Sequence, residues 1–163
     1  MLENLTVHFT SQDFRQALGQ FATGVTVVTT EDGDVVHGMT ANAFTSVSLE
    51  PPLVLVSVDK RASTHEIIAR TGKFGINILR EEQEDLSRRF SKKIDDMDND
   101  QPIFQMVQGI PILKDCLCSL ACTLWATYNG GDHTLYVGKV EFLQVNEGDP
   151  LLFFASRYCK IEK

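Results

Sequence analysis

No apolar run in this chain of 163 residues reaches the ~18 residues that a membrane-crossing helix needs. The opening "MLENLTVHFT" also lacks the basic-then-apolar pattern of a secretory leader. The expectation is a soluble, cytoplasmic protein with no membrane partner, in which the Asn4-Leu5-Thr6 sequon has no meaning. Positive charge is scarce, with 15 Lys and Arg against 22 Asp and Glu and a net charge of -7. That balance argues against a nucleic-acid partner, because such a footprint needs a basic face. The basic residues that exist cluster as doublets, Lys60-Arg61, Arg88-Arg89 and Lys92-Lys93, which read either as solvated surface or as contacts for one small anion.

Motifs are missing too. The 11 glycines contain neither G-x-G-x-x-G nor G-x-x-x-x-G-K-[ST], so any nucleotide is held without a Rossmann turn or a P-loop. HExxH and GxSxG are absent as well, which turns attention to chemistry that a bound cofactor carries for itself. The four cysteines (116, 118, 122 and 159) lack paired CxxC spacing, and no histidine lies within a dozen residues of the first two. They are read as buried free thiols, with no metal and no disulfide.

What is present is 43% hydrophobic residues in a length that suits one domain, residues 1–163. Thr10 or Ser11 can cap a first helix whose apolar face runs Phe14, Ala17, Leu18, Phe21, Ala22 and stops at Gly24. "VTVVTT" (25–30) reads as a strand, Asp32-Gly33 as a hairpin turn, and the chain returns from Val35. Pro51-Pro52 interrupts the ladder before an apolar strand over 53–58. A helix over 64–70 follows, with a Ser63/Glu66 capping box and a Gly72 stop, then a strand over 74–79 and a helix over 81–90. Residues 91–111 read as a loop. Long strands over 113–128 and 134–146 follow, joined by Asn129-Gly130-Gly131-Asp132, and a short strand begins at Leu151. Antiparallel hairpins with a few short helices predict a mainly β barrel.

Four stretches are candidates for a site. In "TANAFTSVS" (40–48), Thr40, Asn42, Thr45, Ser46 and Ser48 put hydroxyls and an amide on an irregular strand, while Ala41 and Ala43 allow close approach of a flat ligand. The same pattern suits a solvent-facing strand edge, and composition leaves both readings open. "DKRASTHE" (59–66) opens a helix, where N–H groups and the helix dipole favour a phosphate, with Lys60, Ser63 and Thr64 as added donors. His133 follows Asp132 at the mouth of a strand, where barrel ligands are reached. Arg157 and Tyr158 end the chain's last apolar strand and either flank a ligand or close the barrel.

These segments, in this order, resemble the flavin reductase-like family. The resemblance runs from "FRQALGQFATGVTVVTT" through "HGMTANAFTSVSLEPPLVLVSV" and "GDHTLYVGKV" to "PLLFFASRY", nearly the whole chain. It implies an FMN-binding split β-barrel with short helices. It implies that Thr40, Ala41, Asn42, Ala43, Ser46, Val47 and Ser48 line the flavin ring and ribityl chain. Asp59, Lys60, Ala62 and Ser63 would hold the phosphate, and Arg89, Phe90, Ser91 and Lys92 would lie near the phosphate or an adenine. His133, in the family's Gly-Asp-His motif, would border the nicotinamide side as the catalytic residue. Asp132, Arg157 and Tyr158 are expected beside it.

The function expected from the resemblance is an oxidoreductase, a flavoprotein that moves hydride from NADH or NADPH to FMN or FAD. As in the reductases of phenol and 4-hydroxyphenylacetate hydroxylases, a separate monooxygenase would take the reduced flavin. Family analogy implies a homodimer. Two alternatives stay open at the level of sequence. One is an electron-transfer flavoprotein reduced by a protein partner; the other is a split-barrel oxidase acting on a small pyridoxal-like substrate. The chain ends at Lys163 just past the expected barrel, so no fused electron-transfer module is expected.

Overall fold

The computed structural model describes residues 8–92 and 104–162. It runs through helix α1 (Ser11–Leu18), strands β1 (Thr23–Gly24), β2 (Thr26–Asp32), β3 (Val35–Ala41), β4 (Phe44–Leu49) and β5 (Pro52–Asp59), and helix α2 (Ser63–Thr71). Strand β6 (Lys73–Ile78), helix α3 (Glu84–Phe90) and strands β7 (Phe104–Val107), β8 (Ile110–Leu113), β9 (Cys118–Gly130), β10 (His133–Val145), β11 (Leu152–Phe154) and β12 (Arg157–Cys159) complete it. Strand dominates, with short helices, as the hairpin signals predict.

Seven antiparallel strands form one sheet in the order β3-β2-β6-β9-β10-β5-β4. Its two outer strands, β3 and β4, are separated in the chain by Asn42 and Ala43 alone. A flat sheet of this width would hold its edges roughly 29 Å apart, at about 4.8 Å per strand. The link from Ala41 to Phe44 spans at most about 11 Å. The sheet therefore curls until its edges meet, and Asn42-Ala43 is the seam. From the β5 side, the Ser57 N–H donates to the Ala43 carbonyl at 3.0 Å. From the β2 side, Thr26 Oγ1 donates to the Ala41 carbonyl at 2.7 Å.

Period-two alternation then sorts side chains between inside and outside. Val54, Val56 and Val58 of β5 join Val28, Phe74, Ile76, Cys122 and Tyr136 in the barrel interior, with Ile68 contributed by α2. Val25 and Val27 point the other way, into a second cluster with Leu79, Phe90, Leu113 and Leu151. This is why the whole run 25–30 is buried. Asn77 closes the polar account inside: its Nδ2 donates to the Val27 carbonyl at 2.9 Å and its Oδ1 accepts the Leu113 N–H at 2.7 Å.

Four local readings change. The first helix ends at Leu18 rather than at Gly24, because Gly19 and Gln20 turn and Thr23-Gly24 is drawn into pairing with β11. Its cap is the reciprocal Thr10/Asp13 box, and its apolar face, with Phe14 54% and Leu18 58% exposed, lies outside the core. The Ser63/Glu66 box does not form: Ala62 is the N-cap, and Asp59 instead receives the Arg61 N–H at 2.8 Å. Gly72 ends that helix with φ 65°, as expected. The segment read as a loop over 91–111 contains the β7–β8 hairpin, turned by Gln108 and Gly109 at φ 53° and 75°. The acidic stretch 93–103 of that segment lies outside the described residues. Cys116 stands in the turn between β8 and β9, so it is buried off the strand, while Cys118 and Cys122 share the inward face.

All four cysteines are free thiols, and burial pushes Cys116 and Cys122 up to about 12. Thiols so protonated are poor nucleophiles. In the native protein at mildly alkaline pH, iodoacetamide should label Cys159 while leaving Cys116 and Cys122 unmodified. Mass spectrometry reads this directly, and early labelling of Cys122 would contradict the burial. Gly138 sits at a β-bulge, where a Cβ would run into the Phe74 ring and come within 2.9 Å of Cys122 Cβ. Gly138→Ala should therefore destabilise by about 1–3 kcal/mol. An unchanged urea midpoint would show that the ring can step aside.

Candidate functional site

The register of β4, β5 and β10 determines which residues share the barrel's outer face. Thr45 lies opposite Leu55, Leu55 opposite Val137, Ser57 opposite Leu135, and Asp59 opposite His133. Residues directly opposite in a ladder project on the same side. Since Val54, Val56 and Val58 point inward, this second set points outward. A cavity of about 870 Å³ opens on that face. Small-molecule sites occupy roughly 300–1,000 Å³. Leu55, Ile78 and Phe153 supply apolar walls; Thr23, Asn42, Thr45 and Ser57 supply polar ones; α1 closes one side through Arg15 and Leu18. His133 stands one alternation beyond Leu135 and Ser57, about 7 Å along the strand. It therefore shares that outward face, though it is not among the residues that line the cavity.

The turn that carries His133 is held by charge and hydrogen bonds. His133 Nδ1 and Asp132 Oδ1 are 2.7 Å apart, and this bond holds the Asp132 carboxyl below its usual range. Arg61 forks onto Asp59 through Nε at 3.1 Å and a terminal nitrogen at 2.8 Å, which with the Arg61 N–H keeps that carboxyl well below the usual carboxylate range. Lys60 reaches across: its N–H donates to the Asp132 carbonyl at 3.1 Å, and its Nζ donates to Asn129 Oδ1 at 2.7 Å and to the Gly131 carbonyl at 2.6 Å. The turn after β5 and the turn before β10 are thus stitched together. A further tie has no signal in the sequence: His65 Nε2 lies 2.7 Å from Thr134 Oγ1, and the Tyr136 hydroxyl donates to the His65 carbonyl at 2.9 Å.

A second group forms on the β3 side. Thr40 Oγ1 donates to the Ser87 carbonyl at 2.6 Å, and the Ser87 and Tyr158 hydroxyls are 2.8 Å apart. The Arg88 guanidinium lies 4.8 Å from the Tyr158 ring centroid, and Phe90 packs so closely on Gly38 that a Cβ there would fall 2.6 Å from the ring. Tyr158 therefore belongs with α3 and Thr40, whereas Asp132 and His133 belong with Asp59 and Lys60. Arg157 is exposed on β12, opposite Phe154. The segment Thr40–Ala43 joins the two groups, and from it Asn42 and Ala43 line the cavity. Ser46, Val47 and Ser48 run away from the seam along β4, with a bulge at Val47.

Sequence reading missed several cavity residues. Leu55 falls in a stretch read as pure packing, yet it faces the cavity; Thr23, Ser57 and Phe153 carry no local signal at all. Two hydroxyls test whether a polar ligand belongs here. Thr23 Oγ1 in the cavity wall and Thr64 Oγ1 in the first turn of α2 are buried with no hydrogen-bond partner among the described residues. Orphaned polar atoms of this kind call for an explanation. Apolar walls beside an amide, hydroxyls and the small Ala43 suit a planar heterocycle with polar edges. At the phosphate end the fit is narrower, since Lys60 and Arg61 are already engaged and the donors left to an anion are the first-turn N–H groups and the exposed Ser63.

Comparison with known proteins identifies the family and the fold. Residues 18–162 match the Flavin reductase like domain family. An NADH-dependent flavin reductase from a Rhodococcus species is 49% identical over 151 residues, covering 91% of this chain and 85% of that protein. Among solved structures, flavin reductase PheA2 superposes with a TM-score of 0.90 at 42% identity, covering 95% of this chain and all 100% of that one. The styrene monooxygenase flavin reductase from Pseudomonas putida S12 gives a TM-score of 0.86 at 41% identity, over 93% of this chain and 98% of that one. With its barrel seam, its outward histidine and this match along almost its full length, the chain belongs to the flavin reductase-like family.

Proposed function

We propose that this protein is an NADH-dependent flavin reductase that delivers reduced flavin to a separate monooxygenase. The observation that carries the reading is the shared outer face: Asn42 and Ala43 of the seam and Ser57 line one cavity large enough for stacked rings, and His133 stands on the same face of β10, one alternation beyond Leu135, the partner of Ser57. The flavin supplies the hydride acceptor, a role that no side chain can take. The residues bind, orient and exclude water. Leu55 and Phe153 give the ring an apolar bed, while Asn42 and the exposed seam backbone meet its polar edge. The first turn of α2 at Ser63 receives the phosphate. His133, oriented through Nδ1 by Asp132, presents Nε2 toward the nicotinamide carboxamide. The names of the relatives favour NADH as donor, and FMN or FAD fills the flavin role. In this reading residues 1–163 form one domain with a split-barrel fold, working in the cytoplasm as a homodimer.

Anaerobic addition of NADH to the flavin-loaded protein should bleach the flavin's visible band. A band that persists until a reduced protein is supplied would replace the reductase with an electron carrier. His133→Ala should slow that bleaching by about tenfold or more through loss of orientation, with flavin affinity largely kept. Stopped-flow rates equal to wild type would remove His133 from the site. Ser63→Ala should weaken flavin binding by about 1 kcal/mol without lowering the melting temperature. Lys60→Ala should lower the melting temperature by about 2–4 °C, because Lys60 ties the two turns together. The opposite pattern in fluorescence titration and thermal melts would exchange their roles.

A further inference from the structure

A second cavity, of about 460 Å³, adjoins the first, and Arg15, Gly19 and Ser156 border both. Its lining differs in kind: Gln12, Gln16 and Gln20 take the place of the apolar walls next door. Arg15 is the only charged residue bordering either cavity among the described residues, in a chain where acids outnumber bases 22 to 15. None of the ion pairs among the described residues involves it. The other basic residues near the site differ, with Arg61 bound to Asp59, Arg88 to Glu84 and Lys60 to the β9–β10 turn.

We propose that this second cavity is the subsite for the pyrophosphate of the pyridine dinucleotide, with Arg15 as the residue that recognises it. The inference rests on reading the large cavity as the flavin and nicotinamide site. A dinucleotide with its nicotinamide in that cavity must carry its phosphate charges out across an acidic protein. Among the described residues that border the two cavities, Arg15 is the one cation that can meet them. A guanidinium matches phosphate oxygens two at a time, and Gln12, Gln16 and Ser156 add neutral donors beside it. The flavin's own phosphate has a different place, since no residue of the Asp59–Ser63 turn borders either cavity.

The test is equilibrium binding of NAD+ to the flavin-loaded protein by calorimetry, for wild type, Arg15→Gln and Arg15→Lys. Glutamine keeps the helix propensity of this exposed position, so α1 stays folded. Arg15→Gln should raise the NAD+ dissociation constant about tenfold, the loss expected for one charge-assisted contact, and Arg15→Lys should recover part of it. Added salt should weaken binding to wild type more than to Arg15→Gln, a response that a purely structural role would not produce. The ratio of FMN to riboflavin affinity should be the same in the variant as in wild type, because any loss of the Arg15 side of the cavity wall is common to both flavins. Equal NAD+ constants in wild type and Arg15→Gln would overturn the inference, and so would a loss confined to FMN, which would give Arg15 to the flavin phosphate. Both results leave the reductase reading standing. Wild-type protein that neither binds NAD+ nor oxidises NADH would overturn both.

Discussion

Two residues carry the chain from one edge of a seven-stranded sheet to the other, and the barrel depends on how short that link is. With Asn42 and Ala43 alone between β3 and β4, no flat arrangement is reachable, and closure follows from chain length before any side chain is considered. Closure also separates the two faces of every strand into interior and exterior. The interior takes the valines of β5, and the outer face is left with Leu55, Ser57 and Asp59. The seam cannot continue the ladder through its own backbone, so polar main chain and small side chains gather there. A cavity with an apolar bed and a polar rim is the product of that geometry.

Charge follows the same logic. In an acidic chain, most basic side chains near the site are already engaged: Arg61 on Asp59 and Lys60 on Gly131 and Asn129 hold turns, and Arg88 pairs with Glu84 along α3. These exposed contacts contribute little stability individually. Their effect is positional, because Lys60 binds the turn that carries Asp132 and His133 to the turn that opens α2. An anion arriving at this face therefore meets helix N–H groups and Arg15 rather than a general positive surface. That arrangement selects by place more than by total charge.

Much of the architecture was legible from pattern alone. The β2–β3 hairpin at Asp32-Gly33, the apolar β5, the Gly72 stop and the β9–β10 turn within Asn129-Gly130-Gly131-Asp132 all appear where residue types demand them. The misreadings share a cause, which is competition from distant partners. The first helix stops early because β11 claims Thr23 and Gly24; Ser63 is no cap because Asp59 turns the chain first; the β7–β8 hairpin hides behind Pro111, which pairs with Met106 in a strand whose neighbours cover it. Tyr158 joins α3 through Ser87, a contact between positions 71 residues apart that no local window contains.

The sequence by itself determined that this is a barrel-forming chain with an irregular polar strand, a helix start and a Gly-Asp-His turn, because turns, alternation and capping are local matters of backbone conformation. Which of those features meet was decided only by tertiary structure. Strand order and register brought Asp59 opposite His133 and turned Leu55 and Ser57 toward the same opening. Pairing across a curled sheet depends on contacts far apart in the chain, and the side on which a residue projects is known only once its partner strand is known.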